Sequence, residues 1–357
     1  MDNVKKVQSA LIESEAAFDC ILVSSQVNQR YITGFDFEDG YVVIGRDFCV
    51  LLTDSRYIEA AKLSAAPGVD VRCMSGSFAA MLDDIMSEHG VKTVGYEETR
   101  ISCASKERLS GYLSGREFVP AGELIEKCRC IKTADEIERI IKAQRIAEAA
   151  FEHILGFISP DRTEKEIALE LEFYMRRHGA EKASFSVIAV SGAASSRPHG
   201  VPRDVKLEKG FLTMDFGATY EGYMSDMTRT VCIGRADEEM KKIYNTVLSA
   251  QLAALDEIKA GADNGHVDET ARGIIRDAGY GDNFGHGLGH GVGMEIHEAP
   301  RLSPNAKGET LKAGQVVTCE PGIYIEGRCG VRIEDMGAVE TGGFNNFTKA
   351  PKELIEL

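Results

Sequence analysis

The chain has 357 residues and 43% of them are hydrophobic, which predicts two folded domains and argues against a disordered chain. Its formal net charge of −15 at pH 7 argues against nucleic acid or an anionic membrane as a partner, and it is compatible with cation binding. The nine cysteines are odd in number and scattered, so we interpret them as reduced thiols. The first 20 residues lack the apolar core of a signal peptide, and no run approaches the roughly 18 residues of a membrane-spanning helix, so we predict a cytoplasmic protein.

The first part of the chain alternates between short apolar runs and amphipathic stretches, up to about residue 125, which is typical of a compact α/β domain. The runs predicted as strands are residues 20–25, 41–45, 48–54, 69–74 and 91–97. The stretches predicted as helices are residues 4–17, 58–66 and 78–90. We place the domain boundary between residues 126 and 133, which gives an N-terminal domain of residues 1–130 and a second domain of residues 131–357.

The second domain differs in the order and spacing of its predicted elements, with long helices among irregularly spaced strands. Thr133 or Asp135 is suited to cap a long amphipathic helix, and Thr163 with Glu166 has the spacing of a capping box at the start of another. Strands are predicted over residues 185–192, 211–217 and 229–234, and a further helix over residues 238–261. This mixture predicts an α+β domain.

Two aspartates lie in or beside strand-like runs, where aspartate is normally depleted. Asp215 and Asp226 flank residues 218–222, which resemble a hairpin connection. A hairpin would bring the carboxylates side by side, and two such charges repel strongly unless a cation or a proton lies between them. The alternative is that each aspartate caps a turn.

A second pair of acidic residues is equally unusual. Glu320 ends an apolar run just before Pro321, and Glu334 follows Arg332 by two residues in a predicted strand over residues 331–339. Arg332 and Glu334 therefore share one face of that strand. A sheet edge with a surface ion pair is the alternative to a functional site.

Three of the eight histidines, His286, His290 and His297, lie in a glycine-rich segment, residues 285–300. The alternating glycines make a helix implausible, and we expect them to allow close packing of the backbone around a metal cluster. Four carboxylates with an imidazole suit Mn, Co, Fe or Zn, and two metals that share carboxylates and activate a water are a hydrolase arrangement. His286 is better explained as a supporting or core histidine than as a residue that contacts the substrate.

The order of the motifs DFG, SDMTRT, GHGLGHGVG, EPGIY and VRIED resembles the pita-bread metallopeptidase family, which includes methionine aminopeptidase, Xaa-Pro aminopeptidase and prolidase. The phrases RYITGF (30–35) and LLTDSRYIEAA (51–61) are similar to the creatinase-type N-terminal domain. The resemblance implies a creatinase-type α/β domain in residues 1–130 and an α+β pita-bread catalytic domain in residues 131–357.

The resemblance also implies a set of site residues. Two divalent metal ions, with Mn favoured over Co, Zn or Fe, would be held by Asp215, Asp226, His290, Glu320 and Glu334. Of these, Asp226 and Glu334 would bridge both metals, and Glu320 would also handle the proton of the attacking water. The substrate-side residues would be His199, His297 and Arg332, and His286 would support the metal site from behind.

The implied activity is hydrolysis of the peptide bond between an N-terminal residue and a following proline, with a metal-activated bridging water attacking the carbonyl. The extra N-terminal domain and the VRIED motif distinguish the chain from methionine aminopeptidases, and creatinase lacks the ligand set. A methionine aminopeptidase-like enzyme and a catalytically inactive binding protein are the alternatives. The motifs leave open whether dipeptides or longer peptides are preferred, and the family suggests a homodimer.

Overall fold

A computed structural model of the chain describes residues 3–14, 17–113 and 115–357. The chain forms two compact units, Met1–Arg129 and Cys130–Leu357. None of the described helices combines the length and the apolar character needed to cross a membrane.

The first unit is built around one mixed sheet. Its strands are β1 (Cys20–Val23), β2 (Gly40–Gly45), β3 (Cys49–Thr53), β4 (Asp70–Cys73), β5 (Thr93–Tyr96) and β6 (Glu117–Pro120). They are ordered β4-β3-β2-β1-β5-β6, with β1 antiparallel to β2 and parallel to β5. The helices are α1 (Asn3–Glu13), α2 (Gln26–Thr33), α3 (Ile58–Ser64), α4 (Phe78–Glu88), α5 (Cys103–Tyr112) and α6 (Leu124–Cys130).

The apolar runs of the sequence become the central strands of this sheet, because every residue of β1 and β3 is buried. The five predicted strands are confirmed, and so are the helices α3 and α4. The helix predicted over residues 4–17 ends earlier, at Glu13, and residues 15 and 16 lie outside the described part of the chain. The helices α2, α5 and α6 were not predicted.

The second unit combines four long helices with several small antiparallel sheets. The helices are α7 (Ala134–Phe157), α8 (Glu164–Arg177), α9 (Glu238–Glu257) and α10 (Asn264–Ile275). The strands are β7 (Lys182–Ala183), β8 (Ile188–Ser191), β9 (Gly210–Phe216), β10 (Ala218–Tyr220), β11 (Tyr223–Met224), β12 (Met227–Ile233), β13 (Gly289–Gly291), β14 (Glu298–Leu302), β15 (Val316–Cys319), β16 (Gly322–Ile325), β17 (Cys329–Arg332), β18 (Asp335–Glu340) and β19 (Gly343–Asn346).

Both capping predictions for this unit hold, and one alternative is resolved. Thr133, and not Asp135, is the N-cap of α7, where its hydroxyl accepts from the Glu136 amide while the Glu136 carboxylate accepts from the Thr133 amide. Thr163 caps α8 with a second capping box. The helix α9 ends at Glu257, four residues before the predicted end, and α10 was not predicted.

The strands that carry the acidic residues come from three neighbouring sheets. The first has the order β12-β9-β8, the second β14-β13-β15-β18-β19, and the third pairs β16 with β17. The prediction of one strand over residues 331–339 is wrong: β17 pairs with β16 and ends at Arg332, whereas β18 pairs with β15 and begins at Asp335. The chain therefore changes sheets at Ile333 and Glu334, which places Glu334 at a junction between them.

Candidate metal centre and substrate cleft

A cleft of about 550 Å³ opens in the second unit. It is lined by every site residue predicted from the sequence: His199, Asp215, Asp226, His286, His290, His297, Glu320, Arg332 and Glu334. The tertiary fold thus brings together side chains that are spread over more than a hundred positions of the sequence.

The pairing of β9 with β12 positions the two aspartates. Asp215 lies near the end of β9 opposite Thr228, and Asp226 directly precedes β12. Between them, β10 and β11 form a short hairpin whose turn contains Glu221 and Gly222, both with positive φ. The predicted hairpin is confirmed, and both carboxylates line the same cleft.

Asp226, His290 and Glu334 form a compact buried cluster. One ligand atom of each lies within 4.8 Å of the others. The Nδ1 of His290 lies 3.1 Å from the carbonyl of Gly291, which can only accept, so the ring carries its proton on Nδ1. Its Nε2 faces the acidic side chains, 3.5 Å from Asp226 Oδ2 and 3.3 Å from Glu320 Oε1.

Arg332 orients the acidic cluster. Its Nη2 donates to Asp215 Oδ2 at 2.6 Å, and its Nη1 donates to the hydroxyl of Tyr324 at 2.8 Å. Its Nε donates to Thr228 Oγ1 at 2.9 Å, and that hydroxyl donates to Glu334 Oε2 at 2.7 Å. Arg332 is almost fully buried, with 3% of its surface exposed, so its guanidinium holds Asp215 directly and Glu334 through the Thr228 hydroxyl.

The cluster is electrostatically crowded. Burial, and then the charges of Glu334 and Asp215, hold the pKa of Asp226 well above its usual range. Burial, and then Glu320 and Asp215, do the same to the pKa of Glu334. Burial also raises the pKa of Asp215, against the lowering effect of Arg332. For Glu320, burial would raise the pKa, but the hydrogen bond and charge of His290, together with the charges of His286 and Arg332, outweigh it and bring the pKa to about 2.

This donor set fits a divalent metal ion. Among the described residues, nothing donates a hydrogen bond to Asp215 Oδ1, although the atom is buried. Buried carboxylates that repel one another, together with a buried acceptor without a partner, are compensated by a cation. Oxygen and imidazole ligands are those that Mn, Co, Fe and Zn accept.

The glycine-rich segment is a strand and loop rather than a helix. A Cβ on Gly289 would lie 2.1 Å from the carbonyl oxygen of Thr318, and one on Gly291 would lie 2.2 Å from that of Ala299. The expected close packing of the backbone is found at Gly289 and Gly291, on either side of His290, where the glycines allow the neighbouring strands to approach β13.

The other two histidines of the segment have distinct surroundings. His286 is half-buried; its Nδ1 lies 2.8 Å from the Gly287 carbonyl and its Nε2 lies 2.9 Å from the Tyr324 hydroxyl, and burial lowers its pKa. His297 is exposed on one side, and its ring centroid lies 4.4 Å from that of His290. Burial of its cleft side, followed by the neighbouring His290 and Arg301, lowers the pKa of His297 to about 4.

Arg301 is a cleft residue that the sequence analysis missed. It lies on β14, is exposed, and lines the same cleft as His297. Among the described residues its guanidinium has neither a hydrogen-bond partner nor an ion-pair partner. Burial alternates along the last three residues of β14, Pro300 to Leu302, which places Arg301 on the open face of the strand.

Comparison with protein families identifies the class to which this fold and site belong. Residues 138–341 match the model of metallopeptidase family M24, and residues 4–131 match that of the creatinase/prolidase N-terminal domain. The chain therefore belongs to metallopeptidase family M24. The predicted fold class is confirmed: a creatinase-type α/β N-terminal domain followed by an α+β pita-bread catalytic domain.

Similar proteins are matched over nearly their whole length. The chain is 43% identical over 344 residues to the uncharacterized peptidase YqhT of Bacillus subtilis, covering 96% of this chain and 97% of that protein. The structure of an Xaa-Pro dipeptidase from Bacillus anthracis superposes with a TM-score of 0.95 at 42% identity, covering 100% of this chain and 99% of the other. An X-Pro aminopeptidase from Thermotoga maritima gives a TM-score of 0.92 at 37% identity, covering 97% and 99%.

Proposed function

We propose that this protein is a metal-dependent exopeptidase that hydrolyses the bond between an N-terminal residue and a following proline, with dipeptides as preferred substrates. The observation that carries the proposal is the buried cluster of Asp226, His290 and Glu334 at the floor of an open cleft. Membership of the M24 metallopeptidases and the names of the two similar structures support the same activity.

The proposed site holds two divalent ions, with Mn favoured. Their ligands would be Asp215, Asp226, His290, Glu320 and Glu334. When bound, the ions would supply Lewis acidity and lower the pKa of a bound water. Arg332 and Thr228 would keep the carboxylates in place through the hydrogen bonds that they already make.

Three side chains of the cleft would manage protons and the substrate carbonyl. Glu320 is ionised at neutral pH, since its pKa is about 2, and would accept the proton of the attacking water and pass it to the leaving prolyl nitrogen. His297 is neutral there because its pKa is about 4, and its ring N–H would donate to the developing oxyanion. His199, exposed on the opposite loop, is the second candidate donor.

The remaining walls of the cleft suit a proline-containing substrate. Proline has no amide N–H, so its ring needs apolar surface instead of a hydrogen-bond acceptor. The cleft provides such surface at Phe185, Val187, Ile188, Ile296 and Val201. A free α-amino group of the substrate would be stabilised by the acidic cluster, which accounts for cleavage at the N-terminus only.

Arg301 favours dipeptides over longer peptides. A guanidinium that lines the cleft with no partner among the described residues is suited to pair with a carboxylate. In an Xaa-Pro dipeptide the C-terminal carboxylate lies on the proline itself, next to the scissile bond. In a tripeptide that position is a neutral amide.

A small substrate panel tests the proposed function: Ala-Pro, Met-Pro, Ala-Pro-Ala, Met-Ala-Ala and N-acetyl-Ala-Pro, each with added Mn. We expect Ala-Pro and Met-Pro to be cleaved fastest and N-acetyl-Ala-Pro not at all. Faster cleavage of Met-Ala-Ala than of Met-Pro would favour the methionine aminopeptidase alternative. A protein that binds Mn and cleaves none of the panel would be the inactive binding protein.

The dipeptide preference has its own test. Arg301→Gln should raise KM for Ala-Pro but leave KM for Ala-Pro-amide, which lacks the carboxylate, nearly unchanged. Arg328→Gln is the control, because Arg328 is exposed, paired with Glu239 and absent from the cleft lining. Equal effects of Arg301→Gln on both substrates would show that Arg301 does not pair with the substrate carboxylate.

The homodimer suggested by the family is part of the proposal, and light scattering of the purified protein tests it.

A further inference from the structure

We propose that Asp268 and Arg272, an ion pair on α10 outside the cleft, are the positioning residues that set the backbone carrying His290 and Glu320. Neither side chain lines the cleft, and neither was singled out by the sequence. The inference deepens the proposed function and rests on it for the meaning of the site, but its test depends on metal binding and not only on peptide hydrolysis.

Arg272 holds two carbonyls of the glycine-rich segment. Its Nη1 donates to the carbonyl of Phe284 at 2.8 Å and its Nη2 donates to that of His286 at 2.7 Å. The guanidinium also lies over the Phe284 ring, 4.2 Å from its centroid. The planar fork therefore fixes two peptide groups that belong to no helix or strand.

Asp268 holds the next part of the same segment. Its carboxylate accepts from Arg272 Nε at 2.8 Å and from Nη2 at 2.9 Å, and Oδ1 also accepts from the Leu288 amide at 2.9 Å. The carbonyl of Leu288 in turn accepts from the Glu320 amide at 2.8 Å. One residue, Leu288, thus joins the ion pair on α10 to Glu320 through its amide and its carbonyl, and His290 follows only two residues later.

The local sequence explains why such a pair is needed. Gly285, Gly287 and Gly289 surround His286 and Leu288, and a backbone rich in glycine loses the most conformational freedom on folding. Three hydrogen bonds from one ion pair restrict residues 284–288 just before the strand that carries His290. The side chain of Asp268 is 1% exposed, and burying an ion pair is costly. The backbone geometry that the pair imposes is an explanation for its presence at this buried position.

The test uses two variants and a control from the same helix. Asp268→Asn keeps the shape but removes the charge, and Arg272→Lys keeps the charge but removes the fork. Glu269→Gln is the control, since Glu269 is the next residue of α10 after Asp268 and forms an exposed ion pair with Arg276. Apoprotein of each is titrated with Co²⁺ and followed by visible absorption, with circular dichroism as the check of folding.

We expect both variants to bind Co²⁺ about 10-fold more weakly or worse, with changed absorption bands, while Glu269→Gln matches the wild type. Faster hydrogen exchange at the amides of residues 284–290 and at Glu320 should accompany the loss. A folded Arg272→Lys protein with wild-type Co²⁺ affinity, absorption bands and hydrogen exchange would overturn the inference. If Asp268→Asn fails to fold, the result for Arg272→Lys alone is the test. A wild-type protein that cleaves no Xaa-Pro peptide would overturn the proposed function instead, whatever the Co²⁺ titrations give.

Discussion

His290 differs from its two neighbours in the glycine-rich segment by its burial and by its contacts. It is 5% exposed and lies beside Asp226 and Glu320. His297 stands next to the His290 ring but is open to solvent, and His286 is joined to Tyr324. Three side chains in one short segment therefore have three separate environments.

These environments predict three separate outcomes of substitution by alanine. His290→Ala should lose bound metal and nearly all activity, because it removes an imidazole from the buried cluster. His297→Ala should keep metal and lose about 10²-fold or more in kcat, as expected of an oxyanion donor. His286→Ala should cost less than either, within the ~10–100-fold of a supporting residue. Metal content and kcat of all three proteins check this, and a metal-free His297→Ala beside a metal-loaded His290→Ala would reverse the assignment.

The hydroxyl of Thr228 links Arg332 to Glu334. Its hydroxyl accepts from Arg332 Nε and donates to Glu334 Oε2. Thr228→Val keeps the shape but leaves both buried partners without that bond, so metal affinity should fall by ~10–100-fold. Thr228→Ser should restore most of it. Thr246→Val is the control, since Thr246 is partly exposed on α9 and its hydroxyl donates to the Lys242 carbonyl; an equal loss there would contradict the specific link.

For individual residues, the sequence pattern identified the acidic side chains of the site but not the hydroxyl groups that bond to them. Aspartate and glutamate in apolar runs are conspicuous, so every acidic residue of the cluster was found. Thr228 and Tyr324 were missed because threonine and tyrosine are common in strands, and nothing in the pattern distinguishes a hydroxyl that bonds to a carboxylate. Arg301 was missed because its significance is the lack of a partner, which only the packed structure reveals.

Among the elements, the loop that carries His199 is tied to α8 by one buried carboxylate. Glu164 Oε1 accepts from the Ser191 amide at 2.7 Å, and Oε2 accepts from the Arg203 amide at 2.9 Å. The Arg203 guanidinium adds a bond of 2.6 Å to Oε1. Because Glu164 is fully buried, both ends of the loop are fixed before any substrate binds.

Glu164→Gln should therefore loosen the loop and raise KM for Ala-Pro more than it lowers kcat. A loss of about 1.4 kcal/mol of substrate binding corresponds to about a tenfold rise in KM. Glu172→Gln is the matched control, because Glu172 also lies on α8 and pairs with an arginine, Arg176, but on the surface. A fall in kcat with unchanged KM would show that the loop does not form a substrate wall.

The strand β13 depends on glycine for its position between β14 and β15. Gly289→Ala should lower the melting temperature and weaken metal binding, since its Cβ would meet the Thr318 carbonyl oxygen at 2.1 Å. Gly285→Ala is the control in the same segment, because nothing lies within 4 Å of its added Cβ. Equal melting temperatures for the two variants would contradict the packing argument.

The helices and strands that the sequence predicted are those with a strong hydrophobic pattern or a defined helix cap. The helices α7 and α8 have both, and the strands β1, β2 and β3 are continuous apolar runs. The helix α10 was missed because Asn264, Gly265 and Gly273 weaken its pattern, although Asp263 caps it. The change of sheet at Ile333 and Glu334 could not be seen, since apolar and charged residues alternate from Val331 to Glu334 as they would in one continuous strand.

At the scale of the whole molecule, a costly part of the acidic balance lies in one cleft. Four carboxylates, those of Asp215, Asp226, Glu320 and Glu334, line one cleft that also contains the buried guanidinium of Arg332. Repulsion in such a cluster opposes folding until a cation compensates it. The fold class and a candidate metal site could be predicted from the sequence because the acidic and histidine motifs are conspicuous, whereas the energetic balance depends on burial, which the sequence does not give.

Removal of metal should therefore reverse the effect of one substitution on stability. In the chelated protein, Asp226→Asn removes one repelling charge at nearly constant shape and should raise the melting temperature. The difference should grow as the pH rises, because the wild-type carboxylate, whose pKa is raised, ionises at higher pH and loses stability as it does so. With Mn present the order of the melting temperatures should invert. Ligand at 100 times Kd adds about 2.7 kcal/mol to the free energy of unfolding of the protein that binds it, and the variant binds Mn more weakly. Calorimetry of both proteins with chelator and with Mn measures all four states, and Glu172→Gln controls for loss of a surface charge. If chelated Asp226→Asn melts at or below the wild-type temperature, the carboxylate cluster carries no repulsion for a metal to relieve.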